Sequence, residues 1–468
     1  MVGSGNVLYF TVRNADRGAD LYRTNGTDVG TLKLRSFPAD PANFAIDPIQ
    51  NLTMVGSTLF FTAADGASGF ELWKSDGTAL GTGLIKDIRT GSDGSNPANL
   101  TAVGSTLFFT ADDGQTGTEL WKSDGTLNGT QRVKDIQTGP FGSFPANLTA
   151  VGSTLFFTAN AGTNSELWKS NGTDPGTERV QGTAPPTLAL SPYALEAVGS
   201  TLYFAATPLG GGSAELWRSD GTAPGTFFFD VQPGPQGSFP SGLTAVGSNI
   251  LYFLAQDTAG DVNLWRLVHG QNPTQVFGPG GIGIKNPTIL GTVGSRLFFS
   301  VPGGGSALWS SLETGAGPVV GPLTDSGGSP VLNPSTPAVV GSSLFFIVPG
   351  PRLMKSDGTP AGTVVVKDLS TPALGGDVKA IAPAGGSAYI TFAKAGTSSL
   401  IWKSDGTDAG TGLFRQFSPA RTNDASPRNA TNLNGSLLFY ADDDRATGLW
   451  STNGTPQGTA LLSSFQLS

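Results

Sequence analysis

The chain has 468 residues, with 27 Lys or Arg against 35 Asp or Glu, a net charge of −8, one His and no Cys. The missing Cys excludes disulfides, Cys-ligated zinc and thiol nucleophiles, and the lack of any basic run argues against nucleic acid as a partner. No run of 18 apolar residues exists to span a membrane as a helix, so no membrane insertion is expected.

Taken in chain order, the residues repeat. Apolar second strands begin near Leu8, Leu59, Leu107, Leu155, Leu202, Leu251, Leu297, Leu344, Tyr389 and Leu438, at spacings of 45 to 51 residues. A period of this size points to a propeller or a stacked array. The first copy has only Met1-Val2 ahead of its Gly3-Ser4-Gly5 turn, so three strands are expected there, or a fourth supplied by a partner. No secretory leader follows Met1, and the chain reads as the mature part of a precursor.

The third copy is the clearest. Leu100–Val103 forms strand a, and Gly104-Ser105 makes a two-residue turn of type II′. Strand b, Thr106–Ala111, carries apolar residues on both faces, so both should be buried. Asp112–Thr118 turns the chain into strand c, Glu119-Leu120-Trp121-Lys122. Ser123–Thr126 turns it again into strand d, about Gln131–Ile136, and Gln137–Ala146 leads on. Four antiparallel strands with no helical pattern predict an all-β fold, a β-propeller of about ten blades in one ring spanning residues 1–468. Two five-bladed propellers, divided in the loop Gln232–Ser241, are the alternative.

Every Trp occupies one slot of strand c: Trp73, Trp121, Trp168, Trp217, Trp265, Trp309, Trp402 and Trp450, with Tyr22 and Met354 in two further copies. Replacement by Tyr and Met suits packing between blades better than stacking on a sugar, so these ten residues are assigned to the core. A Glu precedes the Trp by two residues at Glu71, Glu119, Glu166 and Glu215. It reads either as a strand-edge hydrogen-bond acceptor or, with a nearby Lys, as one wall of a carbohydrate pocket.

The strand c to d turn recurs as Ser75-Asp76-Gly77-Thr78, with Asn replacing Asp at Asn25, Asn171 and Asn453. Asp and Asn both bond their own backbone two residues on, and the loss of charge leaves a turn intact, which favours a structural role. The octapeptides Glu71–Thr78, Glu119–Thr126 and Glu215–Thr222 resemble the ELWxxDGT-repeat proteins, hyalin-like bacterial chains, over essentially the whole sequence. That resemblance implies a secreted or cell-surface protein and no particular activity. The turn is also similar to the Asp-box of sialidases and of ten-bladed sortilin-type propellers, and Asp-boxes lie far from sialidase catalytic centres.

Strand alternation puts the a–b and c–d turns on one face and the variable b–c and d–a loops on the other. Varied loops on a rigid frame are where binding is expected. Their off-repeat aromatics, Phe44, Phe141, Phe144, Tyr193 and Phe239, are the candidate ligand contacts, with plugging of the gaps between blade tops as the competing role. Asp112, Asp113, Asp442, Asp443 and Asp444 are the candidates for calcium, although none fits a calcium-loop spacing, and no other cofactor is expected. His269, the single His, lies in a degenerate turn with no acid beside it in sequence, and no catalytic motif is present. These features suggest a non-enzymatic extracellular binding or adhesion module for a glycan or surface protein. The alternatives are a structural part of a larger surface assembly completed by strand donation, and a carboxylate-dependent glycan hydrolase or lyase.

Overall fold

The computed structural model describes residues 1–468 apart from 15, 40–46, 163, 183–188, 210–211, 235, 304, 316, 371–376, 395–397, 418–427, 443–446, 456 and 466–468. Among the described residues, forty strands form successive four-stranded antiparallel sheets, each strand pairing with its neighbours in sequence. The sheets occupy residues 2–37, 49–86, 98–134, 146–179, 189–229, 241–275, 288–322, 335–368, 377–417 and 428–465, and are numbered one to ten below. A single residue pair, Glu166 with Leu190, joins sheets four and five edge to edge. The all-β expectation and the four-stranded unit both hold. No helix among the described residues is long and apolar enough to cross a membrane.

Sheet one departs from the expectation of three strands. Val2–Ser4 pairs with Val7–Arg13, Val2 facing Tyr9 and Ser4 facing Val7. Three residues suffice because Gly5, at φ 54°, turns the chain back within two residues. The sheet therefore has no vacancy for a donated strand. A second correction concerns register. The cross-strand partners Ser404 and Thr452 fall opposite Ala388 and Leu437, as Ser75 falls opposite Leu59. Copies nine and ten thus start one residue before Tyr389 and Leu438.

Strand b is buried on both sides, as Leu59, Phe60 and Phe61 illustrate. Consecutive side chains alternate faces, so Leu59 and Phe61 meet sheet one while Phe60 meets sheet three. This two-sided burial repeats along the chain: each buried apolar cluster draws on two sheets consecutive in sequence. One cluster instead joins the first sheet to the last, packing Leu8, Phe10 and Val12 on Leu433, Leu438, Tyr440 and Leu449.

Trp73, Trp121, Trp168, Trp217, Trp450 and Met354 are buried, and Tyr22, Trp265, Trp309 and Trp402 are half-buried. Trp rings lie against a Phe of strand b, as Phe61 on Trp73 and Phe204 on Trp217, with centroids 6.4 and 6.1 Å apart. Basic side chains of the preceding sheet cover some of the indoles: the Arg35 guanidinium stands 4.6 Å above Trp73. The indoles of Trp73 and Trp217 donate to the carbonyls of Ala63 and Ala206, both at 3.0 Å. All ten slots are interior or partly interior, as packing requires.

Strand a carries a bulge at Asn51, Asn99 and Asn147, each at φ 54–55°. Asn tolerates this left-handed conformation. Its amide also reaches outward from the bulge: Asn51 Nδ2 donates to Thr62 Oγ1 and to the Pro97 carbonyl of the next sheet, both at 3.3 Å. Asn99 likewise reaches the Pro145 carbonyl of the following sheet, so both amides are structural parts of the junctions.

Candidate functional site

Each residue of the recurring octapeptide has a defined contact. Asp76 Oδ1 accepts from Thr78 N and Oγ1, both at 2.8 Å, and Gly81 N donates to Thr78 Oγ1 at 2.9 Å. Thr82 Oγ1 returns to the Thr78 carbonyl at 2.7 Å and meets Ser75 Oγ at 2.7 Å. A Cβ on Gly81 would overlap the Asp76 carboxylate, which explains the second glycine of the turn. Asn171 makes the same bonds, to Thr173 N at 3.0 Å and Oγ1 at 2.8 Å, so charge is dispensable. The Thr78 bonds hold the Asp76 carboxyl below its usual range.

The first glycine of the turn serves the junction between sheets. Gly125 has φ +87°, and a Cβ there would stand 3.3 Å from the tip of Phe60 in the preceding sheet. Gly172 stands in the same relation to Phe108, at 3.2 Å. A basic side chain also reaches the next turn: Lys169 Nζ meets the Gly221 carbonyl at 2.5 Å, Arg296 meets Gly358 at 2.8 Å and Lys403 meets Gly454 at 3.2 Å.

Glu71, Glu119 and Glu215 are buried and tie strand c to the loop that leaves strand d. Glu119 accepts from Ser143 Oγ at 2.5 Å, Ser143 N at 2.8 Å, Gln137 N at 3.2 Å and Ile136 N at 3.3 Å. Glu71 does the same with Ser95 Oγ and N and with Arg89 N, and Glu215 with Ser238 Oγ and N and with Val231 N. Burial pushes all three carboxyls above their ordinary range, against the hydrogen bonds that pull them down. Sequence reasoning assigns no role to Ser95, Ser143 and Ser238. The available signal is a Gly-Ser-x-Pro stretch whose Ser lies 23 or 24 residues beyond each Glu. Glu166 has no such stretch ahead of it and pairs instead with Arg179 at 3.2 Å.

The b–c and d–a loops do share a face. A Cβ on Gly117 would stand 2.5 Å from the Gly142 nitrogen, and Asp112 N donates to the Ser95 carbonyl at 3.0 Å. Three candidate aromatics lie exposed there, Phe141 at 75%, Phe144 at 59% and Phe239 at 45%, whereas Tyr193, 38% exposed, lies in strand Ala189–Val198 opposite Ala205. The three Phe side chains do not plug gaps between sheets. Phe144 and Phe239 directly follow the clamp serines at φ 48° and 45°, where Asn96 takes the equivalent place at 50°. Phe44 lies outside the described residues.

Two of the candidate calcium ligands, Asp112 and Asp113, are otherwise engaged. Asp112 caps Gly114 N at 2.8 Å and pairs with Arg89 at 3.0 Å; Asp113 caps Gln115 and Thr116 and pairs with Arg132 at 3.3 Å. Among the described residues no group of three or more metal-ligating side chains occurs. Asp442 lies in strand Ser436–Asp442, and Asp443 and Asp444 fall outside the described residues. His269 is exposed, with Nδ1 3.4 Å from the Tyr203 hydroxyl and no acid paired to it among the described residues.

One polar cluster lies off the repeat. Arg266 of sheet six binds Glu313 of sheet seven through two bonds of 2.8 and 2.7 Å. Tyr252 contacts the same carboxylate and Ser311 Oγ, the latter at 2.6 Å. Burial, reinforced by Glu313, pushes the Tyr252 hydroxyl far above its ordinary value. This is a saturated structural network with no open acid or base.

No family model matches the chain, and no curated protein matches it. Among the solved structures similar to it are peptidases and parts of them. They include a prolyl endopeptidase (12% identity, 68% of this chain and 49% of that one, TM-score 0.35) and a puromycin-hydrolysing peptidase of Mycobacterium tuberculosis (14%, 86% and 59%, TM-score 0.36). A third is the β-propeller domain of the Trilobed protease of Pyrococcus furiosus (10%, 70% and 99%, TM-score 0.31). The chain thus spans 49% and 59% of the first two in length.

The expectation of an adhesion module is corrected at this point. The similar structures named here are peptidases and a protease domain, with no lectin or adhesin among them. The completed sheet one removes the strand-donation alternative. The buried Glu71, Glu119 and Glu215 are closed by backbone and serine donors and do not offer themselves as the acid pair of a carboxylate hydrolase.

Proposed function

We propose that residues 1–468 form one closed β-propeller of ten blades, of the ELWxxDGT-repeat type, which is itself non-catalytic. Its role is positional: a rigid ring that holds neighbouring domains or partners in place. The observation that carries this reading is the structural use to which the repeat's chemistry-bearing residues are put. Glu clamps a loop, Trp fills a junction, Lys bonds the next turn, and Asp or Asn closes the turn that carries it. The packing of Leu8 and Phe10 on Leu438 and Tyr440 supports a single ring over two.

Two measurements test it. Small-angle scattering is expected to fit one disc, and two resolved lobes would refute the single ring. Peptide, ester and glycoside substrates are expected to turn over no faster with the protein than with buffer. Turnover abolished by His269→Ala or Glu215→Gln would refute the non-catalytic role.

A further inference from the structure

The junction of sheets seven and eight departs from the repeat in two ways. Only residues 349–351 connect strand Ser343–Val348 to strand Arg352–Ser356, where residues 113–117 make the matching turn of sheet three. Arg352 precedes Met354 by two residues, so a cation stands where sheets two, three and five place the clamp Glu.

Beside the shortened turn lies a cavity of about 380 Å³, between sheet eight and the loop that leaves sheet seven. Its floor is apolar, made by the buried side chains of Val331, Val348 and Met354. That volume falls within the range of small-molecule sites, which are mostly apolar with a few placed polar groups. Two charged residues stand on its walls, Asp325 of the loop and Arg352 of strand c.

These charges invert an arrangement found where the repeat is intact. There the loop leaving sheet two supplies the cation and sheet three the anion, and Arg89 closes on Asp112 at 3.0 Å. Between sheets seven and eight the loop supplies the anion and the following sheet the cation. Neither Asp325 nor Arg352 makes an ion pair with any described residue. Asp325 Oδ1 accepts from Gly327 N at 3.0 Å and Ser329 N at 2.9 Å, which fixes the carboxylate and leaves Oδ2 without a partner among the described residues. Arg352 is exposed and acts on its cross-strand partner Asp368, also exposed, only beyond ion-pair distance.

We propose that this cavity binds the zwitterion of an apolar α-amino acid. The carboxylate takes the planar fork of Arg352, which matches it through two parallel hydrogen bonds. The ammonium takes Asp325 Oδ2, and the side chain lies on Val348 and Met354. A ligand with a single charge leaves the opposite wall unanswered, and a polar side chain loses its water against the apolar floor. Both walls belong to sheets seven and eight, so the proposal rests neither on ring closure nor on the non-catalytic reading.

Isothermal titration of the full chain with L-leucine tests it. Saturable binding is expected. Isocaproate, which lacks the ammonium, and isoamylamine, which lacks the carboxylate, are each expected to bind at least about tenfold more weakly, the factor set by one hydrogen bond to a charged group. Arg352→Gln is expected to weaken L-leucine by at least about tenfold and to leave isoamylamine unchanged. Asp325→Asn, which keeps the acceptor of the turn, is expected to weaken L-leucine likewise and to leave isocaproate unchanged. Both variants should melt with the parent, because Arg352 is exposed and the Asn retains the bonds to Gly327 and Ser329. No saturable heat up to the solubility limit of L-leucine, equal binding of isocaproate, or L-leucine binding untouched by either variant overturns the assignment.

Discussion

Tyr440 donates its hydroxyl to the Thr11 carbonyl at 2.8 Å, across 429 residues of sequence. The bond joins strand b of the last sheet to strand b of the first, where Phe10 lies against the same Tyr ring. Tyr440→Phe keeps the ring and removes the bond. A loss of about 1 kcal/mol is expected, the typical net value of one hydrogen bond, measured by urea denaturation. A loss near zero would mean that this hydrogen bond adds nothing net to the closing contact.

Trp121→Ala removes a buried indole from the junction of sheets two and three, where Leu72 and Ile85 face it. A destabilisation of about 3–5 kcal/mol is expected from lost transfer energy and the residual cavity. Met354→Ala, in the same slot of sheet eight, should cost about 2–5 kcal/mol. The two midpoints in denaturant check the shared role.

Gly81→Ala should destabilise although Gly81 does not adopt a positive φ, because its Cβ would overlap the Asp76 carboxylate. Pairing it with Asp76→Ala relieves the overlap. The double variant is therefore expected to be more stable than the sum of the single losses predicts, a coupling that a double-mutant cycle in thermal melts would read.

The two recurrent acids are expected to respond oppositely to pH. Thr126 holds the Asp124 carboxyl below its usual value, so its stabilisation is complete above the unfolded pKa of about 4 and is lost as pH falls through the folded one. Burial raises Glu119, so its contribution is complete below the unfolded value and declines as pH rises through the folded one. Asp124→Asn, which reproduces the uncharged turn at Asn171, should flatten the acid limb of the stability profile. Glu119→Gln should flatten the decline above about pH 4.5. Denaturation midpoints from about pH 3 to 8 test both, and reversed slopes would contradict the assigned environments.

Phe144 holds a left-handed conformation that costs an ordinary side chain about 1–2 kcal/mol and that Asn accepts more readily. Phe144→Asn, copying Asn96, is expected to leave stability unchanged or raise it by about 1 kcal/mol. A clear loss would show that the exposed ring contributes to folding.

The local pattern is largely legible in the sequence. Period-two strands, the Gly-Ser and Asp-Gly turns and the Trp slot follow from side-chain alternation and from backbone geometry that only a few residues tolerate. The first strand of sheet one escapes such a reading because a strand of three residues leaves no periodic signal. The starts at Tyr389 and Leu438 slip by one because Ala388 and Leu437 sit beside equally apolar neighbours, and only the cross-strand partners Ser404 and Thr452 settle the register. Phe141 and Phe144 suit plugs by their apolar character, yet they lie in solvent because the loop backbone, held by Glu119, turns them outward.

The sequence by itself determined the unit: four strands, their turns, and which side chains must leave water. Those properties depend on contacts a few residues apart and repeat often enough to average out exceptions. The tertiary structure decided what the polar residues do. Whether a Glu reads as an acid, a ligand or a loop clamp depends on which backbone N–H groups reach it, and Ser143 reaches Glu119 only after the chain has run through strand d and turned back. The same holds for Leu438, unremarkable as a residue, which packs against Leu8 and Phe10 only because the last sheet meets the first.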